Sequence, residues 1–546
     1  MKKFSKKCGI RNVMTLSELL ERSALLFGNN LHSAVLDTGL SYTYSDLSRT
    51  CRSLSDLMEK AGAGAGAKVA VLSANSPHWT MAFFSATAFG RIAVPILPES
   101  APNEIANILE HSESSVLFVS RKLLPNVPET SLDKMSLVID ADDFGIISER
   151  KAEHAAAAGI SSADDIATII YTSGTTGKAK GVMLTHRNLM SCVQACYATK
   201  VRGESDRWLS VLPMAHTLEL TIGMLYPMLV GASVYYLSKP PVPAVLLKAF
   251  RTVRPTTMLI VPLIIEKIYR NSIIPTIRKS PLLSWMAVHT GNLLYRIVGM
   301  KLKKTFGGCL DFLGIGGAKL DIEVENFLLK AGFPYAVGYG LTETSPLLSY
   351  STGRDRIPGT IGKAVKDVQL KLIDINPETH EGEIVAKGPN VMKGYYKDPE
   401  KTASVFTEDG WFRTGDLATV DSKGRFFIKG RLSNMILGAS GENIYPEDIE
   451  QVINSIETVN ESLVVSRGGK LVALVNFNED AIDWNREGEE EFFKKIEEYK
   501  SNILEFVNRH VKKASNVSEV QVMREPFEKT ATRKIRRFKY TGRRGL

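Results

Sequence analysis

The sequence of 546 residues predicts an α/β protein with a large N-terminal domain and a small α+β domain at its C-terminus. From residue 40 onward, helix-like and strand-like segments alternate, which is the βαβ rhythm of a mostly parallel sheet covered by helices. Beyond Gly430 and Arg431 the pattern changes to short strands flanked by charged helical segments. The length also exceeds what one hydrophobic core usually supports, so more than one domain is expected.

The N-terminal elements follow from capping residues and apolar runs. Ser45 is placed to cap a helix through Ala61, and Lys68–Leu72 is typical of a strand. The pair Ser76-Pro77 opens a second helix that ends near Gly90, because proline is favoured in the first helical turn. Ile92–Leu97 is the next β-branched strand.

A polar, glycine-rich segment near residue 430 predicts the domain boundary. We expect a first domain over residues 1–430, a hinge over 431–434 and a lid domain over 435–546. The elements expected in the lid domain are two strands, Ser462–Val465 and Leu471–Asn476, and the charged helical segment Glu489–Lys513.

Composition and charge restrict the class of protein. Hydrophobic residues make up 44% and charged residues 23%, as in folded globular proteins. The net charge of +9 is concentrated in Arg533–Leu546, a tail without acidic residues that suits phosphate, an acidic partner or an anionic membrane, or is simply a solvated end. No nucleic-acid-binding motif accompanies it, which excludes nucleic acid as the expected partner. The absence of a signal peptide and of a long apolar run predicts a cytoplasmic protein, with peripheral contact at the inner face of the membrane as an addition.

The segment Tyr171–Gly181 has the composition of a phosphate-binding loop. It lies between the apolar strands Ala167–Ile170 and Val182–Leu184, and it is rich in glycine, serine, threonine and lysine. Glycines let backbone N–H groups approach oxyanions, while hydroxyl and ammonium groups add donors. The segment is not a Walker A loop, which requires glycine where Thr172 stands and serine or threonine where Ala179 stands.

This loop and an ordered series of further motifs resemble the adenylate-forming (AMP-binding) superfamily of acyl-CoA synthetases, nonribosomal adenylation domains and luciferases. The resemblance runs from about residue 40 to 537 and is closest to long-chain fatty acyl-CoA synthetases and acyl-acyl carrier protein synthetases. The further motifs, in chain order, are Leu212–His216, Gly316–Ala318, Gly338–Glu343, Gly382–Val385, Trp411–Asp416, Gly424–Arg431, Gly441–Pro446 and Lys529–Lys534. The resemblance implies layered α/β subdomains with a small β-barrel-like subdomain, followed by a mobile C-terminal domain.

The resemblance also implies the roles of individual residues. Lys534 would stabilise the crowded anionic transition state of adenylation, Glu343 would bind Mg²⁺ as a hard carboxylate with Thr176, and Ser433 would be the hinge. The implied catalytic residues are Lys534, Glu343, Thr342 and His216. The implied ATP-binding residues are Thr172, Ser173, Gly174, Thr175, Thr176, Gly177, Lys180, Gly317, Ala318, Gly338, Tyr339, Gly340, Thr342, Asp416 and Arg431.

Three positions depart from the pattern of the superfamily. Arg533 stands where a glycine is usual, Ser433 replaces a charged hinge residue, and Ala179 replaces a proline before Lys180. Arginine strains a backbone position that needs a left-handed conformation, so the loop before Lys534 is expected to differ here.

The substrate is inferred from the apolar segments Leu218–Val230 and Met258–Ile265, which favour an alkyl chain. The basic stretch Ile277–Phe306 resembles an insertion of long-chain fatty acyl-CoA synthetases. We therefore expect ATP- and Mg²⁺-dependent activation of a medium- or long-chain fatty acid to acyl-AMP, followed by transfer to coenzyme A. Acyl carrier protein is an alternative acceptor, and a non-catalytic homologue that binds fatty acid or nucleotide is a further alternative.

Overall fold

The computed structural model describes residues 13–150, 154–173, 179–290, 292–353, 356–438, 443–482, 484, 487, 490–530 and 534–541. The helices, in chain order, are α1 (Leu16–Phe27), α2 (Tyr44–Lys60), α3 (Pro77–Thr87), α4 (Pro102–Ser112), α5 (Glu129–Leu132), α6 (His186–Thr199), α7 (Tyr226–Val230), α8 (Pro243–Val253), α9 (Pro262–Ile268), α10 (Ile274–Lys279), α11 (Pro281–His289), α12 (Asn292–Thr305), α13 (Ile322–Lys330), α14 (Pro399–Ser404), α15 (Pro446–Ile453) and α16 (Glu490–His510). Residues Glu219–Leu225 and Tyr269–Ile273 form π-helical turns.

The strands, in chain order, are β1 (Leu31–Val35), β2 (Ser41–Thr43), β3 (Lys68–Leu72), β4 (Ile92–Ile96), β5 (Ser114–Val119), β6 (Leu137–Asp140), β7 (Ile146–Glu149), β8 (Ile166–Ser173), β9 (Ala179–Thr185), β10 (Arg207–Ser210), β11 (Ser233–Tyr236), β12 (Thr257–Ile260), β13 (Phe312–Ile315), β14 (Tyr335–Gly340), β15 (Leu347–Ser351), β16 (Lys363–Ala364), β17 (Gln369–Ile373), β18 (Gly382–Lys387), β19 (Gly394–Tyr395), β20 (Phe412–Val420), β21 (Phe426–Arg431), β22 (Ile436–Leu437), β23 (Asn443–Ile444), β24 (Val459–Arg467), β25 (Lys470–Phe477) and β26 (Glu519–Met523).

Two large mixed sheets form the N-terminal part of the fold. The first has the order β16-β15-β14-β13-β12-β10-β11-β1-β2, and its strands from β14 to β1 run parallel. The second has the order β19-β9-β8-β4-β3-β5-β6-β7, with β8, β4, β3, β5 and β6 parallel. The predicted α/β class with a mostly parallel sheet is confirmed, although the antiparallel strands at the sheet edges were not foreseen.

Helix α3 is buried along its whole length, from Pro77 to Thr87. It contacts β1 of the first sheet and β3 and β4 of the second, and Trp79 stacks on Phe83 with ring centroids 5.5 Å apart. A helix covered on all sides needs no polar face, which explains why this segment carries apolar and small residues all round. Its predicted start at Ser76 is confirmed, since the Ser76 hydroxyl accepts from the Trp79 N–H.

The cap predicted for α2 is wrong, although the helix itself is present. The N-cap is Thr43, whose hydroxyl accepts from the Asp46 N–H, while the Asp46 carboxylate accepts from the Thr43 N–H. This reciprocal capping box satisfies two backbone donors, which Ser45 one residue inside the helix cannot do.

The chain divides into two compact units, of which the second is formed by residues 372–384, 414–419 and 428–546. Its core lies between the sheet β24-β25-β26 and the helices α15 and α16. Two earlier segments belong to it because their side chains contact it: Glu381 accepts hydrogen bonds from Tyr445 Oη (2.6 Å) and Asn443 Nδ2 (3.3 Å). The division expected at residue 430 remains a prediction.

A third sheet has four strands in the order β17-β18-β20-β21, and β22 pairs with β23. None of the helices within the described ranges is long and apolar enough to cross a membrane.

Candidate active site

Three of the predicted motifs follow parallel strands of the first sheet, in which β12 lies between β10 and β13. Leu212–His216 comes after β10, Gly316–Ala318 comes after β13, and Tyr339–Glu343 ends and follows β14. The carboxyl ends of parallel strands meet at one edge of a sheet, and ligands of open α/β sheets bind there. The fold thus brings His216, Gly317, Ala318, Tyr339, Thr342 and Glu343 to one edge.

Glycines allow a close approach of backbone at this edge. A Cβ atom on Gly340 would lie 1.7 Å from the Pro346 carbonyl oxygen, and Gly317 has a φ of +88°. A Cβ atom on Gly316 would lie 3.4 Å from the Gly338 carbonyl oxygen on the next strand. A side chain at Gly340 would overlap the Pro346 carbonyl oxygen and push the two segments apart, and a side chain at Gly317 would strain a backbone with a positive φ.

Glu343 is held on a short 3₁₀ turn, Thr342–Thr344, after β14. Its Oε1 accepts a hydrogen bond from the Tyr395 hydroxyl (2.9 Å), and its main-chain carbonyl accepts from the Met392 N–H (2.8 Å). Both partners lie in or beside β19, far along the chain. Sequence reasoning missed Tyr395, and no pattern of spacing links it to Glu343.

The predicted phosphate loop connects β8 and β9, which form an antiparallel hairpin. Thr172 pairs with Lys180 and Ser173 with Ala179 in its register. The loop residues Gly174, Thr175, Thr176 and Gly177 lie outside the described residues, so their predicted phosphate contacts and the metal-binding role of Thr176 stay predictions.

Tyr395 also links the hairpin to Glu343. The Lys180 ammonium lies 5.6 Å from the centroid of the Tyr395 ring, whose hydroxyl donates to Glu343. Burial lowers the pKa of Lys180, the nearby Lys401 acts in the same direction, and Glu343 and Asp398 oppose it. The predicted phosphate-binding cation and the predicted magnesium ligand therefore both contact one aromatic side chain, and the cation is partly desolvated.

Asn75 holds the loop that carries His216. The Asn75 Nδ2 group donates to the Leu212 carbonyl (2.6 Å) and to the Ser210 hydroxyl (3.0 Å), and Asn75 Oδ1 accepts from the Met214 N–H (2.8 Å). Three bonds from one amide to one loop restrict the loop to a single conformation. Sequence reasoning missed Asn75, which lies between β3 and α3.

His216 and Glu219 share the turn that follows this loop. His216 is half-buried, and its Nδ1 accepts from the Leu218 N–H (3.3 Å), which leaves the proton of the neutral ring on Nε2. Glu219 is 2% exposed, and a Cβ atom on Gly223 would lie 2.5 Å from its carboxyl carbon. Burial raises the pKa of Glu219 to about 8, and a hydrogen bond from Ser210 opposes the rise. Glu219 is therefore a neutral acid near pH 7.

Asp416 and Arg431, two of the implied ATP-binding residues, contact each other in the second unit. Arg431 Nε lies 3.0 Å from Asp416 Oδ1, and the Asp416 N–H donates to the Thr414 hydroxyl (3.1 Å). Asp416 is buried and Arg431 half-buried. The Arg431 guanidinium therefore holds one carboxylate oxygen of Asp416 in place through a charge-assisted contact.

Lys534 is exposed and lies in a short antiparallel turn of the second unit. Lys529 forms an antiparallel β-bridge with Ile535. The Thr530 N–H donates to the Lys534 carbonyl (2.8 Å), and the Lys534 N–H donates to the Thr530 hydroxyl (3.2 Å). Phe527 and Tyr540, on either side of the turn, pack on one face of the sheet with ring centroids 5.1 Å apart. The turn is thus anchored at both ends, and Arg533 lies outside the described residues.

The basic tail is largely paired with acidic side chains where it is described. Arg537 forms an ion pair with the buried Glu450, and Arg536 and Lys539 both contact Glu528. Glu450 also accepts from a main-chain N–H of β24 at 2.7 Å. The fold therefore brings carboxylates of other segments to the described part of the tail.

The hinge residue Ser433 lies exposed in a tight turn. Arg431 accepts main-chain hydrogen bonds from Asn434 (3.1 Å) and Met435 (3.0 Å), and Asn434 Nδ2 donates to Glu447 (2.6 Å). Small polar residues in a turn tolerate large changes of φ and ψ. The hinge role of Ser433 stays a prediction.

Comparison with known proteins places these features in one family. The AMP-binding enzyme family matches residues 21–396, and the AMP-binding enzyme C-terminal domain matches residues 433–542. The long-chain-fatty-acid–CoA ligase FadD15 of Mycobacterium bovis is 28% identical over 469 residues, covering 77% of this chain and 75% of that protein. A feruloyl-CoA synthase of Amycolatopsis sp. is 30% identical over 441 residues, covering 79% of this chain and 82% of that protein.

The same fold occurs in solved structures. The O-succinylbenzoate coenzyme A synthetase (MenE) of Bacillus subtilis, in complex with ATP and a magnesium ion, superposes with a TM-score of 0.75 at 22% identity. The match covers 95% of this chain and 98% of that one. The predicted architecture of a large N-terminal AMP-binding domain and a small C-terminal domain is confirmed.

Proposed function

Since this chain belongs to the AMP-binding enzyme family and its relatives include acid–CoA ligases, we propose that it activates a medium- or long-chain fatty acid with ATP and transfers the acyl group to coenzyme A. In the first half-reaction a carboxylate oxygen of the acid bonds to the α-phosphorus of ATP, and pyrophosphate leaves with the electron pair of the broken P–O bond. In the second, the thiolate bonds to the acyl carbon and AMP leaves.

The arrangement of Lys180, Tyr395 and Glu343 carries this proposal. An ammonium and a carboxylate held around one ring, beside glycine-rich turns at the carboxyl edge of a sheet, suit a triphosphate with its metal ion. The donor set fits Mg²⁺, because Glu343 supplies hard carboxylate oxygens; when bound, the ion supplies positive charge against the phosphate oxygens.

We assign the remaining residues the following roles within this proposal. Thr342 donates to the α-phosphate, the ring of Tyr339 stacks on adenine, and Asp416 accepts from the ribose hydroxyls with support from Arg431. Lys534 stabilises the negative charge that develops between the acid and the α-phosphate.

The fatty acid is supported by the position of the two apolar segments. Leu218–Val230 follows β10 and Met258–Ile265 contains β12, and these strands are neighbours at the edge that carries His216. The relative FadD15 is named for a long-chain fatty acid as its substrate, whereas the feruloyl-CoA synthase is named for an aromatic acid. Buried alkyl side chains in both segments, such as Leu220, Met224 and Ile260, favour the alkyl chain.

Coenzyme A is the acceptor that the names of the relatives support. Acyl carrier protein remains the alternative acceptor, because the charge of the basic tail suits either acceptor equally well.

Acid-dependent exchange of pyrophosphate into ATP tests the first half-reaction. We expect exchange with fatty acids of graded chain length and little with ferulate, followed by thioester formation with coenzyme A rather than with holo acyl carrier protein. Exchange with ferulate alone would overturn the proposal of a fatty-acid substrate. No exchange with any acid would overturn the proposal of an acid–CoA ligase.

The variant Lys534→Ala tests whether Lys534 acts in the adenylation step. Lys513→Ala is the matched control, because Lys513 is also an exposed lysine of the same unit. The first variant should lose exchange at least about a hundredfold. It should still convert a synthetic acyl adenylate to the thioester, and the control should do both. Unchanged exchange in Lys534→Ala would refute the assignment.

A further inference from the structure

The segment between Glu266 and Asp311 contains no acidic residue. The basic stretch Ile277–Phe306 lies within this segment, and the structure forms three consecutive helices here, α10, α11 and α12. The basic residues of the segment are Lys267, Arg270, Arg278, Lys279, Arg296, Lys301, Lys303 and Lys304. The proposed ligase chemistry uses none of them.

One side of α12 packs on the protein and the other is exposed. Leu294 and Leu302 are buried, and a Cβ atom on Gly299 would lie 2.5 Å from the Ala331 carbonyl oxygen, so the helix lies directly against backbone. This contact sets the rotation of the helix about its axis. The exposed stripe that results is spaced at i, i+3, i+4, i+7, i+8 and i+11 and consists of Leu293, Arg296, Ile297, Met300, Lys301 and Lys304.

Helix α11, which contacts α12, adds exposed apolar side chains. Trp285 is 55% and Leu282 65% exposed, and Met300 on α12 is 66% exposed. Arg278 and Lys279 are exposed at the end of α10. We call this surface the apolar–basic face, and its members are Arg278, Lys279, Leu282, Trp285, Leu293, Arg296, Ile297, Met300, Lys301 and Lys304.

We propose that the apolar–basic face binds the surface of an anionic lipid bilayer, with its helices lying in the plane of the interface. Exposed leucine, methionine and tryptophan side chains suit the boundary between headgroups and acyl chains, and tryptophan is favoured at that depth. Lysine and arginine without neighbouring acids suit anionic headgroups.

An acidic protein such as a carrier protein would complement the basic side chains of this face but not its exposed apolar side chains. Exposed apolar side chains interspersed with basic ones along one helical stripe are typical of interfacial helices. Binding would place the enzyme where water-insoluble acids reside, which goes beyond the proposed chemistry and does not depend on it.

Vesicle flotation of the full-length protein, without ATP or acid, tests the proposal. We expect co-flotation with vesicles of mixed phosphatidylglycerol and phosphatidylcholine at low salt, weaker binding at high salt, and weak binding to phosphatidylcholine alone. Failure to float with the anionic vesicles at low salt would overturn the proposal while leaving the ligase reaction untouched.

Two double variants separate the charged from the apolar contribution. Lys301→Glu/Lys304→Glu should lower partitioning at least about tenfold and abolish the preference for anionic lipid. Leu293→Gln/Met300→Gln should lower partitioning about tenfold yet keep the salt dependence. All four side chains are exposed, so both variants should melt at the temperature of the parent protein.

Matched controls change exposed residues elsewhere by the same chemistry. They are Lys122→Glu/Lys423→Glu and Ile160→Gln/Val201→Gln, which should bind vesicles like the parent protein. An equal loss in the controls would show a general charge or hydrophobicity effect and overturn the assignment. If Lys301→Glu/Lys304→Glu lost binding to holo acyl carrier protein but still floated with vesicles like the parent protein, the face would be a binding site for a protein partner and the lipid proposal would be overturned.

Discussion

Glu219→Gln should stabilise this protein by an amount that increases with pH. Glu219 is 2% exposed on a π-helical turn, and burial raises the pKa of its carboxyl from 4.5 to about 8. Among the described residues its Oε2 has no hydrogen-bond partner. A buried carboxylate without a cationic partner is costly, so folding retains the proton.

The magnitude follows from the two pKa values. Because the folded pKa lies above the unfolded one, the stability that the neutral acid contributes is fully present below pH 4.5 and is lost as the pH rises through about 8. At about 1.36 kcal/mol per pH unit, the loss reaches roughly 3 kcal/mol at pH 7 and approaches about 5 kcal/mol above pH 8. Glutamine has the shape of the neutral acid and does not titrate, so the variant avoids this loss.

Thermal unfolding followed by fluorescence from pH 5 to pH 9 measures the difference between the two proteins. The advantage of Glu219→Gln should be small at pH 5 and rise by a few °C towards pH 9. Glu21→Gln is the control, because Glu21 is exposed and its replacement should show no such trend. A difference that stays constant or shrinks with pH would refute the neutral buried acid.

Three further substitutions test the site. Tyr395→Phe removes the hydroxyl that donates to Glu343 and should slow adenylation about tenfold, most strongly at limiting Mg²⁺. Gly340→Ala should lower the melting temperature by several °C, because its Cβ would overlap a carbonyl oxygen; Gly203→Ala, with nothing within 4 Å, should not. Glu450→Gln removes the ion-pair partner of Arg537, which follows the turn carrying the proposed catalytic residue Lys534, and should slow adenylation more than the thioester step.

Each of these three predictions has an outcome that would contradict it. Tyr395→Phe with an unchanged magnesium dependence would separate the tyrosine from the metal site, and Gly340→Ala that melts like Gly203→Ala would refute the close backbone approach. Equal slowing of both half-reactions in Glu450→Gln would indicate general loss of structure rather than misplacement of the turn.

Local sequence patterns predicted helices and strands well where neighbouring residues alone determine them. The strand Lys68–Leu72 and the helix that begins after Ser76 follow from an apolar run and a capping serine. The start of α2 was misplaced because Thr43 and Ser45 both cap well, and only the reciprocal bond of Asp46 decides between them.

Residues that support the site were not predictable in this way. Tyr395 is 52 positions from Glu343, and Asn75 is 137 from Leu212, so no periodicity connects either pair. Their roles arise only when β19 pairs with β9 and when β3 ends beside β10. Glu219 would be assigned to a solvent-exposed face by residue type alone, since glutamate is seldom buried.

The sequence by itself determined the α/β class, the order of the motifs and the residue types of the candidate ATP site, because these depend on short-range periodicity and on the chemistry of each side chain. Only the tertiary structure decided which charges are paired, which carboxyl is neutral and which face of α12 meets the solvent. The physical reason is that ion pairing, desolvation and exposure depend on atoms brought together from distant parts of the chain, as the acidic partners of the basic tail and the burial of Glu219 both show.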